Sequence, residues 1–362
     1  MSDSDLEFIT SVRKRPGMYV GDPYDGSGLH HLLRELLANA LDQFYVGRLT
    51  RIDVSVLADG RLRVEDDGRG ISTARDADGR TFLERVFTTR HTTPTADGHA
   101  PHWHLADVGL GLAPVCALSA ALLVQVRNAD GCFRRTFACG VATGDLVRTG
   151  PATTTGATVE LLPDPDIFPR PAWDPARIDP MLRELASLCP GLTTSFAFER
   201  RRYGPFEDLR DLVCELGDGR PRPEDVILCS ADDGPMSARV GLWFSNPAFG
   251  APPREASYCN LLKTHAGTHL DGFRRGLVDA VASAAGARSR GRTTAAYDRV
   301  ARGLVAVISV TLVDPSYGAP TKDQLTTPAA RGLVERAVRE GFGAALAKDP
   351  QLAASLTERL AR

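Results

Sequence analysis

Glu35, Asn39 and Asp42 stand at i, i+4 and i+7 within a segment whose apolar residues fall at 29, 32, 33, 36, 37, 40, 41 and 44. That spacing predicts an amphipathic helix over Leu29–Phe44, with the three polar residues on one face opposite a leucine stripe. A carboxamide oxygen on such a face can enter the shell of Mg²⁺, which takes hard oxygen ligands. A carboxylate one turn away can orient and deprotonate a water for attack on a terminal phosphate. Taken alone, the helix is explained better as a solvated polar face. Asp66-Asp67-Gly68-Arg69-Gly70-Ile71 is a second candidate. A carboxylate at a strand end can accept from an adenine amino group, and two nearby glycines permit a tight turn and close approach of a flat ligand. Alone, a common Asp-Gly turn is the better account of it. Gly109-Leu110-Gly111 precedes an apolar helix candidate and could offer backbone N–H groups to phosphate oxygens. No G-x-x-x-x-G-K-[ST] occurs, which excludes a P-loop on pattern.

The elements that must position these residues can be traced along the chain. Ile52–Leu57 alternates apolar and polar, and Leu62–Val64 resumes the pattern after the turn Asp59-Gly60. Residues 81–93 begin as a helix and dissolve into a Thr-, Gly-, Pro- and His-rich loop over 94–104. A helix is expected over Pro114–Ala121, with strands near 122–127, 132–138 and 158–162. A Pro-rich connection over 163–175 leads to a helix near 177–189 and strands near 194–200. Beyond about residue 206, strands near 239–245 and 303–313 and helices near 268–285, 327–347 and 350–361 form a second block. The Ala/Arg/Gly tract from Ala282 to Arg302 reads as a loop joining helical pieces.

The 362 residues exceed what one core usually holds, so two domains are expected, 1–205 and 206–362. Lys+Arg is 43 against Asp+Glu 45, a formal charge of −2, which does not fit a globally basic nucleic-acid binder. The acidic N-terminus is unlike a secretory signal, and no run approaches the ~18 apolar residues of a membrane span. Seven scattered cysteines without a C-x-x-C pair read as reduced thiols. A cytoplasmic protein without membrane contact is expected.

Order and spacing then carry a resemblance. Val12-Arg13-Lys14-Arg15-Pro16-Gly17-Met18-Tyr19-Val20-Gly21, Gly28-Leu29-His30-His31, the Glu35…Asn39…Asp42 helix and Glu65-Asp66-Asp67-Gly68-Arg69-Gly70-Ile71 resemble the ATPase region of gyrase B and topoisomerase IV ParE subunits. Thr264-His265-Ala266-Gly267-Thr268-His269-Leu270-Asp271-Gly272-Phe273-Arg274, and Gly303–Asp314 followed by Pro320-Thr321-Lys322, resemble the same family's transducer. The resemblance covers about residues 10 to 350. It implies an α+β chain, with a GHKL (Bergerat-type) ATPase α/β sandwich followed by a ribosomal-S5-type transducer domain. It implies ATP and Mg²⁺ as ligands. Glu35 would be the general base, Asn39 the Mg²⁺ ligand and Asp66 the adenine reader, with Gly70 lining the base pocket. Leu105, Ala106, Asp107, Val108, Gly109, Leu110 and Gly111 would form the lid over the phosphates, and Lys322 would contact the terminal phosphate.

Several positions depart from the family. Only two lid glycines remain, and Asp107 brings a negative charge near the expected phosphates. Pro320 replaces a polar contact. Ala157 stands where a threonine is usual, with Thr155 or Thr158 as substitutes. Gln43 stands where a glutamate is usual, which would remove an ion pair with Arg127. The N-terminal arm is short and lacks the family's tyrosine, and the Toprim domain is expected to be absent.

Two functions follow. In the first, the chain would be an ATP-hydrolysing subunit of a type IIA topoisomerase-like system, unable to cleave DNA alone and working with a gyrase A-like or Toprim-bearing partner. Alternatively, it is a nucleotide-dependent regulatory or decoy module with weak or no turnover. A nucleotide-dependent homodimer is a further expectation. Arg274, Arg275, Arg288, Arg290, Arg292, Arg299 and Arg302 make the second domain locally basic, and salt-dependent DNA contact is weighed there equally with a solvated loop. His265 and His269 share i+4 spacing but lack a third ligand, and read as structural. His102 and His104, flanking Trp103, read as loop residues.

Overall fold

The computed structural model describes residues 2–45, 47–90, 111–245, 251–287, 293–319 and 322–361. The chain divides into two compact units, Met1–Phe206 and Glu207–Arg362.

The first unit runs α1 (Asp3–Lys14), α2 (Ser27–Tyr45), β1 (Arg51–Val56), β2 (Leu62–Asp66), α3 (Phe82–Thr88), α4 (Ala113–Ala117), β3 (Ser119–Asn128), β4 (Gly131–Ala138), β5 (Val141–Ala142), β6 (Val147–Gly150), β7 (Gly156–Pro163), α5 (Pro175–Leu188), β8 (Thr193–Phe196) and β9 (Arg201–Tyr203). Its strands form one sheet in the order β5-β4-β3-β7-β2-β1-β8-β9, with β6 also on β4. The leucine stripe of α2 behaves as its spacing requires. Leu29, Leu32, Leu33, Leu36, Leu37 and Leu41 are all buried, each contributing about 1.5–3 kcal/mol of transfer free energy.

Register decides which side chains face the core. Val54 lies opposite Val64, Val64 opposite Val159, and Val124 opposite Val159. Side chains alternate along a strand. Asp66 therefore continues the buried row of Leu62 and Val64, and Ala157 continues that of Leu161 and Val159. Glu65, Thr158 and Arg127 belong to the opposite face.

The helix expected over Pro114–Ala121 stops at Ala117, and Ser119 opens β3. Alanine and leucine through this stretch suit either state, and pairing of β3 with β7 decides it. Helix α1 lies outside the elements expected from periodicity. Its capping box joins Ser2 and Asp5, and Ile9 and Val12 anchor it in the core.

The second unit contains α6 (Arg210–Leu216), β10 (Ile227–Asp233), β11 (Met236–Phe244), β12 (Arg254–Cys259), β13 (Leu262–Thr264), β14 (Ala266–Gly267), α7 (Thr268–Ala284), α8 (Thr293–Val300), β15 (Leu304–Thr311), β16 (Gln324–Leu325), α9 (Pro328–Lys348) and α10 (Pro350–Ala361). Its sheet has the order β10-β11-β15-β12-β13, with β12 and β15 parallel. Helices α7 and α9 approach through glycine. A Cβ on Gly272 would lie 2.2 Å from the Arg331 carbonyl oxygen, and one on Gly276 2.8 Å from that of Glu335. Helix α8 lies inside the Ala282–Arg302 tract expected to be a loop, anchored by buried Tyr297 and Val300.

Candidate ATP-binding site

The first unit holds a cavity of about 330 Å³, within the range of small-molecule sites. Helix α2 supplies Asn39, Ala40 and Gln43 to its wall. Asp66 and Arg69–Ser72 supply a second side. Phe82 and Val86 of α3 form an apolar wall, Gly111 and Leu112 border it before α4, and the tip of the β3–β4 hairpin closes the rim.

Glu35 is buried at 4% exposure and lies behind this wall rather than on it. Its Oε1 is 3.1 Å from His31 Nε2, one helical turn earlier. Its Oε2 is buried with no hydrogen-bond partner. A buried carboxylate oxygen without a donor costs free energy unless something arrives to meet it. Asn39, one turn on, is half-buried and lines the cavity. Asp42 is buried and does not line it. The helical spacing thus puts only Asn39 of the three on the cavity wall. The partnership of His31 with Glu35 is a feature the motif reading leaves out, although i,i+4 spacing signals it.

Asp66 ends β2 on the core-facing side. Its Oδ1 accepts from the backbone N–H of Gly68 at 2.9 Å and of Ala157 at 3.3 Å. Burial pushes its carboxyl up to about 6. The amides of Gly68 and Ala157 and the charge of Arg127 oppose that rise, and neighbouring Asp67 adds to it. Asp67 behaves oppositely. Its burial is overcome by hydrogen bonds from Thr50 and Arg51, which hold its carboxyl below the ordinary value.

Gly70 is required on two counts. Its φ is +76°, and a Cβ there would meet the Arg127 carbonyl oxygen at 2.5 Å. Across the rim, Asn128 Nδ2 donates to the Ile71 carbonyl at 3.2 Å, a staple between the two cavity walls.

Two expectations about departures are corrected by sheet facing. Arg127 keeps an ion pair. Its partner is Glu65, at 3.1 Å, and it also donates to the Thr158 hydroxyl at 3.1 Å. Gln43 stands on the helix side of the sheet, so an acid there would face away from Arg127. Thr158 points to the far face for the same reason, and Thr155 is exposed. Neither lines the cavity or replaces the hydroxyl missing at Ala157.

Of the lid residues, Gly111 borders the cavity with φ +72°. Leu105, Ala106, Asp107, Val108, Gly109 and Leu110 lie outside the described residues, as do His102, Trp103 and His104.

In the second unit, Lys322 has a left-handed backbone, φ +56°, and its Nζ stands 5.8 Å from the Tyr317 ring centroid. Pro320 and Thr321 lie outside the described residues. His269 is fully buried and its Nε2 meets the Thr264 hydroxyl at 2.9 Å and the Ser257 hydroxyl at 3.0 Å. His265 is exposed, just ahead of α7. Among the described residues no cluster of three metal-ligating side chains occurs, and all seven cysteines are free thiols. Arg274 pairs with Glu255 at 3.2 Å and Arg275 with Glu335 at 3.7 Å, while Arg299 donates to the Leu360 carbonyl. Arg302 is exposed, and Arg288, Arg290 and Arg292 lie outside the described residues. No described helix is long and apolar enough to cross a membrane.

Residues 24–163 match the family model for histidine kinase-, DNA gyrase B- and HSP90-like ATPases, and residues 239–362 match that for DNA gyrase B. The chain carries a gyrase B-type ATPase region. The DNA gyrase B protein of Thermus thermophilus is 32% identical over 371 residues, covering 99% of this chain and 58% of that protein. The B-type component of DNA topoisomerase 4 from Pseudomonas aeruginosa is 31% identical, covering 98% and 57%. The DNA gyrase B protein of Caulobacter vibrioides is 30% identical, covering 98% and 47%. The chain thus spans roughly half the length of these relatives. Among solved structures, the 43K ATPase domain of Thermus thermophilus gyrase B, in complex with an aminocoumarin, superposes with a TM-score of 0.79 at 29% identity, covering 98% of this chain and 94% of that one. The α+β class and its GHKL-plus-transducer architecture agree with that likeness.

Proposed function

We propose that the ATP-binding domain expected over residues 1–205 binds Mg²⁺·ATP in the cavity beside α2 and hydrolyses it. The observation that carries this reading is the pairing of a buried, half-satisfied Glu35 with a cavity whose base end presents the Asp66 carboxylate. Adenine would enter beside Gly70, where the backbone allows a flat ring to approach. Its amino group would donate to Asp66, through the oxygen that the two backbone amides leave available. Asn39 offers a carboxamide oxygen on the cavity wall, a donor type suited to Mg²⁺, and the ion would neutralise phosphate charge. Glu35 Oε2 would take the proton of the attacking water while His31 holds Oε1, so the base is aimed before the nucleotide arrives. Residues 105–111 would cover the phosphates. Lys322 is kept in this reading as a phosphate-contacting residue, since an ammonium stabilises developing negative charge.

The site's chemistry fits the ATPase part of a type IIA topoisomerase-like system in the cytoplasm. A gyrase A-like or Toprim-bearing partner is part of this reading. DNA contact through exposed second-unit arginines and a nucleotide-dependent homodimer belong to the same reading. A second reading, a nucleotide-dependent regulatory or decoy module with weak or no turnover, draws on the placement of Glu35 behind the cavity wall.

The test is nucleotide titration and turnover with Glu35→Ala. We expect turnover to fall by about 100-fold or more with ATP affinity nearly unchanged. Absence of ATP binding to the wild-type chain would refute the site. Binding without wild-type turnover would select the second reading.

A further inference from the structure

Among the polar groups of the cavity wall that the proposed chemistry leaves unused, one is buried and unsatisfied. Gln43 lies one turn beyond Asn39 on the cavity wall, and its Oε1 is buried without a hydrogen-bond partner. It stands at the base end of the cavity. A Cβ on Gly68 would lie 2.9 Å from Asp66 Oδ1, and 3.2 Å and 3.3 Å from Gln43 Cγ and Cβ. Gln43 and Asp66 therefore flank the same glycine. Most buried polar side-chain atoms are satisfied, so an unsatisfied acceptor on a side chain that lines a ligand cavity calls for a donor.

We propose that Gln43 is a second base-reading residue, accepting through Oε1 from the exocyclic amino group that also donates to Asp66. An amino group carries two hydrogens, so both acceptors can be served by one nitrogen. With Ala157 offering only its backbone N–H to Asp66, the side chain at 43 is the remaining polar group of α2 that can share in reading the base edge. This inference rests on ATP occupying the cavity.

The test uses Gln43→Met, which keeps side-chain length and removes the acceptor. Binding of the β,γ-imido triphosphates of adenosine and of purine riboside, which lacks the amino group, is measured for both proteins by calorimetry. We expect the variant to lose about three- to tenfold affinity for the adenosine compound and none for the purine compound. Its thermal midpoint should stay level or rise, because an unsatisfied buried acceptor has gone. Equal losses for both ligands, or a lowered midpoint with no amino-dependent loss, would assign Gln43 a structural role only and overturn the proposal. Unchanged affinity for both ligands would also overturn it. Failure of the adenosine compound to bind the wild-type chain would instead refute the ATP site itself.

Discussion

Asp66→Asn separates what the fold prefers from what the cavity needs. The Asp66 carboxyl is raised from 3.8 to about 6, so the folded state holds its proton more tightly than the unfolded chain does. Stability from this group is therefore fully present below the unfolded value and is lost as pH rises through about 6. At 1.36 kcal/mol per unit, Asp66 alone lowers stability by about 1.4 kcal/mol between pH 5 and pH 8. Asparagine keeps an oxygen for the Gly68 and Ala157 amides and carries no charge to desolvate. The variant should thus gain on the wild type as pH rises, with the difference growing by about 1.4 kcal/mol over that range. Hydrogen exchange of the β1, β2 and β7 amides reads the opening free energy of this sheet at both pH values. The same variant should bind ATP about tenfold more weakly or worse at pH 8, since a hydrogen bond to a carboxylate is lost. A stability difference that is the same at pH 5 and pH 8 would refute the reasoning. It would mean that the carboxylate is solvated in the fold, and the burial argument for Asp66 would go with it.

Gly70→Ala forces a Cβ into a left-handed position 2.5 Å from the Arg127 carbonyl. It should cost on the order of 2 kcal/mol and weaken nucleotide binding together with stability; a thermal midpoint equal to wild type would contradict the close approach. In the second unit, burial pushes the His269 imidazole down to about 4 from 6.5, with Asp271 opposing the shift and Arg274 adding to it. Stability from the neutral ring is present above 6.5 and lost as pH falls through about 4, so this unit should lose about 2 kcal/mol between pH 8 and pH 5. His269→Gln should flatten that slope in hydrogen exchange of the α7 and β12 amides, and a slope unchanged by the substitution would remove His269 as its source.

The α2 helix is legible in the sequence because its pattern is long and regular, and a leucine stripe of that period has one way to be buried. Gly70 is legible because two glycines in three residues signal a backbone constraint. Long-range pairing is not legible. Residues 118–123 suit helix and strand alike, and only β7, some forty residues on, decides between them. The partners of Arg127 and Thr158 escape the sequence for a related reason. Which face a strand residue takes depends on register, and one residue of slip reverses every side chain. The contact of His31 with Glu35 is a different case. It follows from one helical turn and needs no tertiary information, so the spacing alone is enough to find it.

The substitutions around the base end of the cavity form one electrostatic arrangement. Asp66 already sits near 6 because of burial. A carboxylate in place of Gln43 would face it across Gly68, while Arg127 is committed to Glu65 on the opposite face of the sheet. Like charges at that range raise a carboxyl further. One more unit would leave Asp66 about half protonated at pH 7 and a weaker acceptor. With Ala157 supplying no hydroxyl, the proposed base recognition would fall mainly on the ionised Asp66, and a neutral residue at 43 would help it to remain ionised. The carboxamide meets that requirement and still keeps an acceptor oxygen on a side chain that lines the cavity, which an apolar residue of the same length would not do.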